Sequence, residues 1–527
     1  MPPAGWKASL TSLVLVALVL AASSLVPGAV GSAAEAGALR AGVVAEDITA
    51  ENPTTVVHDR LYAKALVVAD ENTRVVIIAL DLGGASSALV SAVRERLRDE
   101  LGIEPGHVLV NASHNHHTQG LVPSDVAARI VKAVRRASET MVPVKVGAGA
   151  GREDRIVMNR RLRMENGKDW TIRRANPSPK DSDVAALGPI DPEIGILRLD
   201  RASGGPLAVV YNFAGHAYGG VPSGGVTADF PSFASAVVEE GLGGGAKALF
   251  LQGAAGDVTP IRYKDVDAPP PTEQLGTMLG LSTLQAVNQT TTREQGTLAM
   301  ISETVELPRR QDVEARIESL EKQQEEILQF FTGVGCGTHG AGTFLNFKSF
   351  LPLYLKHAID PDHPAYSSYL YQHEQATGRD DLVKLDEENR KRLQKYLACI
   401  ENMERLIRVR SNLQAYQQHQ KRGATEPIAA EIQGIRIGDF VLVAFPGEPF
   451  AEISLRIKEQ SPFEHTFLAG YSNGHLGYAP TADAYDKEAY EDALTPFAPE
   501  WQAIFEKKAL EIISRLGSPP ASTQAKP

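Results

Sequence analysis

Between Arg40 and Leu307 the chain alternates short apolar runs with stretches of helical spacing. Arg74 to Leu82 (RVVIIALDL) is nearly all apolar and rich in β-branched residues, which predicts a buried strand. Ser87 to Leu101 follows, with Leu89, Val90, Val93 and Leu97 on one side of an expected helix. His107 to Asn111 reads as the next strand, and Ser124 as the N-cap of a helix ending near Met141. Further strands are predicted at Leu207 to Phe213, Lys247 to Leu251 and Thr297 to Leu307. This repetition predicts a layered α/β domain with a parallel or mixed sheet.

From Gln311 to Glu426 the pattern changes. Gln311 to Phe331 is charged and helical, and Asp386 to Gln420 is a long helix. Its expected apolar face holds Leu393, Tyr396, Leu397, Ile400, Met403, Leu406 and Ile407. The repeat is too short to favour a dimerising coiled coil. After Glu426 strands return: Ile432 to Ile437 and Phe440 to Phe445 flank Gly438-Asp439, a hairpin signal. A helix from Phe450 to Glu459 and a strand from Thr466 to Gly470 follow. The expected organisation is a layered mixed-sheet domain in two pieces, 35–310 and 427–516, with a helical insertion at 311–426 and a frayed tail at 517–527.

Residues 1–34 carry a different signal. Lys7 precedes the apolar run Leu10 to Leu20, and small residues surround Ser32, Ala33 and Ala34. That order is the pattern of a cleaved secretory leader. Ser23, Ser24 and Pro27 interrupt the run, which falls short of the roughly 20 apolar residues of a membrane span. The expected location is therefore periplasmic or secreted. The apolar fraction of 43% and charged fraction of 22% are those of a folded globular chain. A net charge of −11 argues against a general nucleic-acid binder, which needs clustered Lys and Arg. Cys336 and Cys399 are the only cysteines. An exported chain can pair them, but they are too few for a Cys-rich zinc site. A metal here must use His, carboxylate or Tyr.

Chemistry concentrates after predicted strands, in Ser113-His114-Asn115-His116-His117, Ala214-Gly215-His216-Ala217, Gly256-Asp257-Val258-Thr259-Pro260 and Pro446-Gly447-Glu448-Pro449. Ligand sites in open α/β sheets gather at the carboxyl ends of strands. Two imidazoles and a carboxylate form a common catalytic zinc shell that leaves a position for water. Zinc lowers the pKa of that water to roughly 7, a neighbouring His can move the proton, and an Arg can stabilise the oxyanion. Taken singly, each residue has a plainer role. His216 is a packed core histidine, Glu448 an N-cap and Asp257 a turn residue. Three histidines in four positions are harder to explain that way. In an extended turn His114 and His116 point to one side, although only one or two of the three can reach a single metal.

These segments resemble the neutral/alkaline non-lysosomal ceramidases. SHNHHTQG around His114 is similar to the family's THTHSGP segment. HDRLYAKALVV, MNRR, DPEIGILRLD, TADFP, FLQGAAGDVTP, AFPGEPF and SNGHLGYAPTADAYDKEAYE match further blocks in the same order. The ordered set covers roughly residues 40–310 and 430–495 and is far more specific than any one motif. The resemblance implies a zinc-dependent amide hydrolase acting on ceramide or a related N-acyl lipid. It implies Zn2+ held by His114, His216, Glu448 and Tyr478, with His116 moving the proton. Arg160 assists the carbonyl oxygen and Tyr490 lines the site. Thr259 stands where the characterised enzymes carry Ser, and Asn115 and His117 alter the rim. The family's C-terminal β-sandwich is not expected after the last matching block, and the helical insertion is foreign to those enzymes. Shorter bacterial relatives with the same core fit better, so the substrate need not be ceramide. The implied partner is a small molecule or lipid, with peripheral membrane contact through the substrate and no nucleic acid. The alternatives are hydrolysis of another amide or ester, and a non-catalytic secreted binding protein on the same core.

Overall fold

In the computed structural model, the described residues are 37–51, 55–118, 122–172, 179–260, 272–334, 347–362 and 368–517. The predicted leader, Cys336 and the tail beyond Gly517 lie outside them.

The architecture is mixed α/β. The larger sheet has nine strands. Its order runs Lys247–Gln252, Pro206–Phe213, Glu193–Arg201, Val142–Arg152, Gly37–Asp47, Tyr62–Ala69, Arg74–Leu80 and Val108–Ala112, and the short Gln295–Gly296 pairs with Gly37–Asp47. The middle pairs are antiparallel, and the outermost pair at each end is parallel. The two edges approach each other, because Gln252 donates its backbone N–H to Asn111 Oδ1 at 2.8 Å.

The strand Arg74–Leu80 explains why its sequence is continuously apolar. Val75, Ile77 and Ala79 face a second sheet, while Val76, Ile78 and Leu80 face the helices Ser87–Leu101 and Val126–Glu139. Each buried Val or Ile contributes about 1.5–3 kcal/mol of transfer free energy. The second sheet runs Leu298–Leu307, Ile428–Ile437, Phe440–Ala444 and His465–Ala469, and Ile435, Phe440, Leu442 and Phe467 pack into the first. Helices Ala451–Gln460 and Trp501–Leu516 cover its other face. The layers are therefore helix, sheet, sheet, helix. Gly438, at φ 62°, makes the tight turn between Ile437 and Phe440 that the sequence predicts.

The helical region is the connection of one antiparallel strand pair. Leu298–Leu307 and Ile428–Ile437 pair from Leu298↔Ile437 to Leu307↔Ile428. Helices Val313–Val334, Phe347–Ile359, Ser368–Ala376 and Asp381–Arg422 lie between them in sequence. Ile317, Leu320 and Ile327 pack against Leu406, Val409, Leu413 and Tyr416. This corrects the expected apolar face of the long helix. Leu393 and Leu406 are buried, but Ile400, Met403 and Ile407 are exposed. The partner helix meets the face one step round, carried by Val409, Leu413 and Tyr416. A second correction is small: Asp125, not Ser124, occupies the N-cap of Val126–Glu139. No helix among the described residues is long and apolar enough to cross a membrane.

Candidate active site

Four strands end at one place. His114 follows Val108–Ala112, His216 follows Pro206–Phe213, Asp257 follows Lys247–Gln252, and Glu448 follows Phe440–Ala444. His114 and His216 are buried and His116 is exposed, with ligand atoms of all three within 4.8 Å of one another. His114 Nε2 lies 3.0 Å from His216 Nε2 and 3.0 Å from His116 Nε2. Glu448 Oε2 is 3.5 Å from His114 Nε2.

The backbone fixes how these rings present themselves. His114 Nδ1 is 2.8 Å from the Gly83 carbonyl, and His216 Nδ1 is 2.9 Å from the Ala255 carbonyl. A carbonyl can only accept, so each Nδ1 carries the proton and each Nε2 turns a lone pair inward. Burial lowers both histidines well below the usual range, and the neighbouring histidines lower them further. Two neutral imidazoles with lone pairs 3.0 Å apart lack a proton between them, which is the chemistry of a donor set for a cation. His114 reaches this position through a left-handed backbone at φ 58°, in a turn rather than an extended segment. His117 does not join the cluster. Its Nε2 points towards Asp229, 3.8 Å away.

Glu448 and Tyr478 are brought side by side by a short parallel ladder, Glu448↔Tyr478 and Pro449↔Ala479. Burial pushes the Glu448 carboxyl up to about 7, against the pull of Arg160. The helix that follows begins at Ala451 with Phe450 at its N-cap, so Glu448 does not cap it. Arg160 is buried between the two halves of the site. Its Nη2 donates to Tyr478 OH at 3.0 Å and to the Gly256 carbonyl at 2.7 Å, and its Nε to Glu491 Oε1 at 2.8 Å. Tyr490 packs edge-on against Tyr478, with ring centroids 5.7 Å apart. Thr259 stands further back. Its hydroxyl bonds Tyr218 OH, and the Tyr218 ring lies 5.8 Å from His116 and 5.2 Å from His216.

Several residues that hold the site are not evident from the sequence pattern. Gln252 is fully buried, and its Nε2 donates to the carbonyls of Ser113 at 2.8 Å and Gly215 at 2.7 Å. Those carbonyls immediately precede His114 and His216, so one amide ties both histidine loops together. Glu491 accepts from Arg160, from Arg161 Nη1 at 3.3 Å and from Thr171 Oγ1 at 2.9 Å. Tyr471 stacks on His114 with centroids 4.2 Å apart and donates its OH to Glu448 Oε2 at 3.3 Å. His475 Nε2 lies 3.6 Å from Glu448 Oε1. Asp257, which the sequence does mark, fastens two elements beneath the cluster, accepting from Ala451 N–H at 2.9 Å and Asn159 Nδ2 at 2.7 Å.

No protein-family model matches the chain, and no curated protein matches it. Solved structures do. A neutral ceramidase from Pseudomonas aeruginosa aligns with a TM-score of 0.57 at 18% identity, over 93% of this chain and 76% of that one. A structure described as ceramidase complexed with C2 aligns with a TM-score of 0.56, also at 18% identity, over 93% of this chain and 77% of that one. At that identity the likeness is one of fold, and the chain shares the ceramidase fold across nearly its whole length.

Proposed function

We propose that this chain is an exported, zinc-dependent hydrolase that cleaves the amide bond of ceramide or a related N-acyl lipid. The observation that carries the proposal is the pair of buried imidazoles, each with Nδ1–H committed to a carbonyl and Nε2 lone pairs 3.0 Å apart beside Glu448. His114, His216, Glu448 and Tyr478 would hold the metal. Zinc, when bound, supplies a nucleophilic water at neutral pH and polarises the substrate carbonyl.

The chain's own residues do the rest. His116 is the solvent-facing member of the triad, placed to take a proton and return it to the leaving amine. Arg160 offers a fixed positive charge for the developing oxyanion, held in orientation by Glu491 and the Gly256 carbonyl. Tyr490 lines the approach, and Thr259 reaches the site through the hydroxyl of Tyr218. The likeness to neutral ceramidase structures supports the amide chemistry. The leader pattern at residues 1–34 supports export. The partner is the lipid substrate itself, met at a membrane surface.

The test is elemental analysis of the mature protein alongside hydrolysis of a panel of N-acyl lipids. About one zinc per chain, lost with activity in His216→Ala, is expected. A folded wild type that takes up no zinc when it is supplied would refute the proposal.

A further inference from the structure

The segment Ala217–Val226 leaves His216 and leads to the helix Asp229–Leu242. Four of its ten residues are glycine, which has the most backbone freedom to lose, so the segment needs outside ties to keep one path. It has them at both ends and in the middle. His116 donates its backbone N–H to the Ala217 carbonyl at 3.0 Å, and Gly220 donates its own to Asp229 Oδ2 at 2.9 Å. Thr272 Oγ1 donates to the Gly220 carbonyl. Asn115 Nδ2 donates to the Thr227 carbonyl at 2.6 Å, while Asn115 Oδ1 accepts the His117 N–H at 2.8 Å. Asn115 is 1% exposed, so it ties the histidine turn to this loop instead of shaping the rim of the site.

Asp229 is fully buried, accepts the Phe230 N–H on Oδ1 at 2.7 Å and holds its backbone at φ 61°. A residue other than glycine keeps that conformation only where its surroundings over-determine it, and such positions gather at functional sites. His117 leans on the same spot. A Cβ on Gly220 would lie 2.7 Å from His117 Cε1, so glycine is what lets the ring rest on the loop, with Nε2 3.8 Å from Asp229 Oδ2. What the ties hold is Tyr218, which stands between the anchored Ala217 and Gly220. Its half-buried ring lies edge-on to His116 at 5.8 Å and to His216 at 5.2 Å, and its hydroxyl bonds Thr259 Oγ1. A phenol fixed at its backbone and at its tip bounds the space over those imidazoles. We propose that Tyr218 is a substrate-contacting wall of the site, with Asn115 and Asp229 as the positioning residues that set it. Asn115 and His117, where the histidine turn departs from the family's segment, then share one task. The contact with substrate rests on the hydrolase proposal above; the clasp on the loop does not.

Hydrogen exchange of the full mature protein, read by mass spectrometry, tests the clasp, and steady-state kinetics test its consequence. Asp229→Ala is expected to speed exchange across residues 217–228 about tenfold, the scale of one or two buried hydrogen bonds, with the strand Arg74–Leu80 unchanged. Asp229→Asn keeps an acceptor and tolerates the left-handed backbone, so it restores most of the protection. Asn115→Ala loosens the same residues by removing the other tie, which keeps the test open where Asp229→Ala does not fold. Wild-type exchange of the loop in folded Asn115→Ala, or equal acceleration across the whole domain, overturns the clasp. For Tyr218, Asn115→Ala should lower kcat/KM on an N-acyl lipid about tenfold in the wild-type background and under about twofold in Tyr218→Ala, because the tie acts through that ring. Equal losses in the two backgrounds overturn the role of Tyr218. A zinc-loaded wild type that turns over no N-acyl lipid overturns that role together with the hydrolase reading, and the exchange result still decides the clasp.

Discussion

Gln252→Met separates the support of the site from the site itself. Methionine keeps the length and volume of glutamine, so the core around it stays filled. It removes the two donations, at 2.8 and 2.7 Å, that tie the loop of His114 to the loop of His216. It also removes the acceptor at 3.2 Å for the Gly215 N–H. Each good buried hydrogen bond is worth about 1 kcal/mol net. Two such bonds holding the ligand loops in register come to about 2 kcal/mol, which is roughly 30-fold in an equilibrium constant. That lies inside the 10- to 100-fold range seen when the supports of metal ligands are removed. The assay is competition for zinc between the folded protein and a chelating dye. Zinc affinity in Gln252→Met is expected to fall about 30-fold while all the direct donors remain. A folded variant that binds zinc as tightly as wild type would refute the view that this amide sets the spacing of the two imidazoles.

Other outcomes follow from the same geometry. Arg160→Met is expected to lower kcat by about 10²–10³ with little change in KM, as for loss of an oxyanion donor; steady-state kinetics in which KM alone rises would assign it to substrate binding instead. Glu491→Gln removes the one carboxylate between two buried guanidiniums. It should cost about 3–5 kcal/mol of stability, and an unchanged chemical-denaturation midpoint contradicts this. Asp312 anchors the base of the insertion. Burial pushes its carboxyl up, but Arg310 and Arg316 outweigh that and hold it at about 2. A depressed carboxylate stabilises the fold above its unfolded value of about 4 and loses that contribution as pH falls through about 2. The melting-temperature gap between wild type and Asp312→Asn should therefore narrow between these limits. A gap constant over that range argues against the pair.

What the sequence discloses and what it withholds divide along a physical line. A strand buried on both faces must be apolar at every position, so Arg74–Leu80 is legible from its letters alone. The carboxyl ends of strands are likewise readable, and the histidines and Glu448 gathered there stand out by residue type. Trp501–Leu516 is a helix outside the expected elements, although Trp501, Phe505, Ala509, Ile512 and Leu516 mark a helical face. The apolar stripe expected on Asp381–Arg422 differs from the buried face for another reason. Periodicity shows that a helix has apolar faces but not which one meets the partner, and Ile400, Met403 and Ile407 lie on the one left open. Gln252 and Glu491 are the residues no local pattern reveals. A glutamine closing an apolar strand and an acid after Tyr490 look ordinary until the chain brings Ser113 and Gly215, or Arg160 and Arg161, onto them. Their value is set by partners 37 to 331 residues away, and burial turns an unremarkable amide or carboxylate into a group that must be satisfied. The histidines and carboxylate proposed to hold a metal thus stand out by residue type and Tyr478 only through the family resemblance, whereas the groups that aim them become visible only in three dimensions.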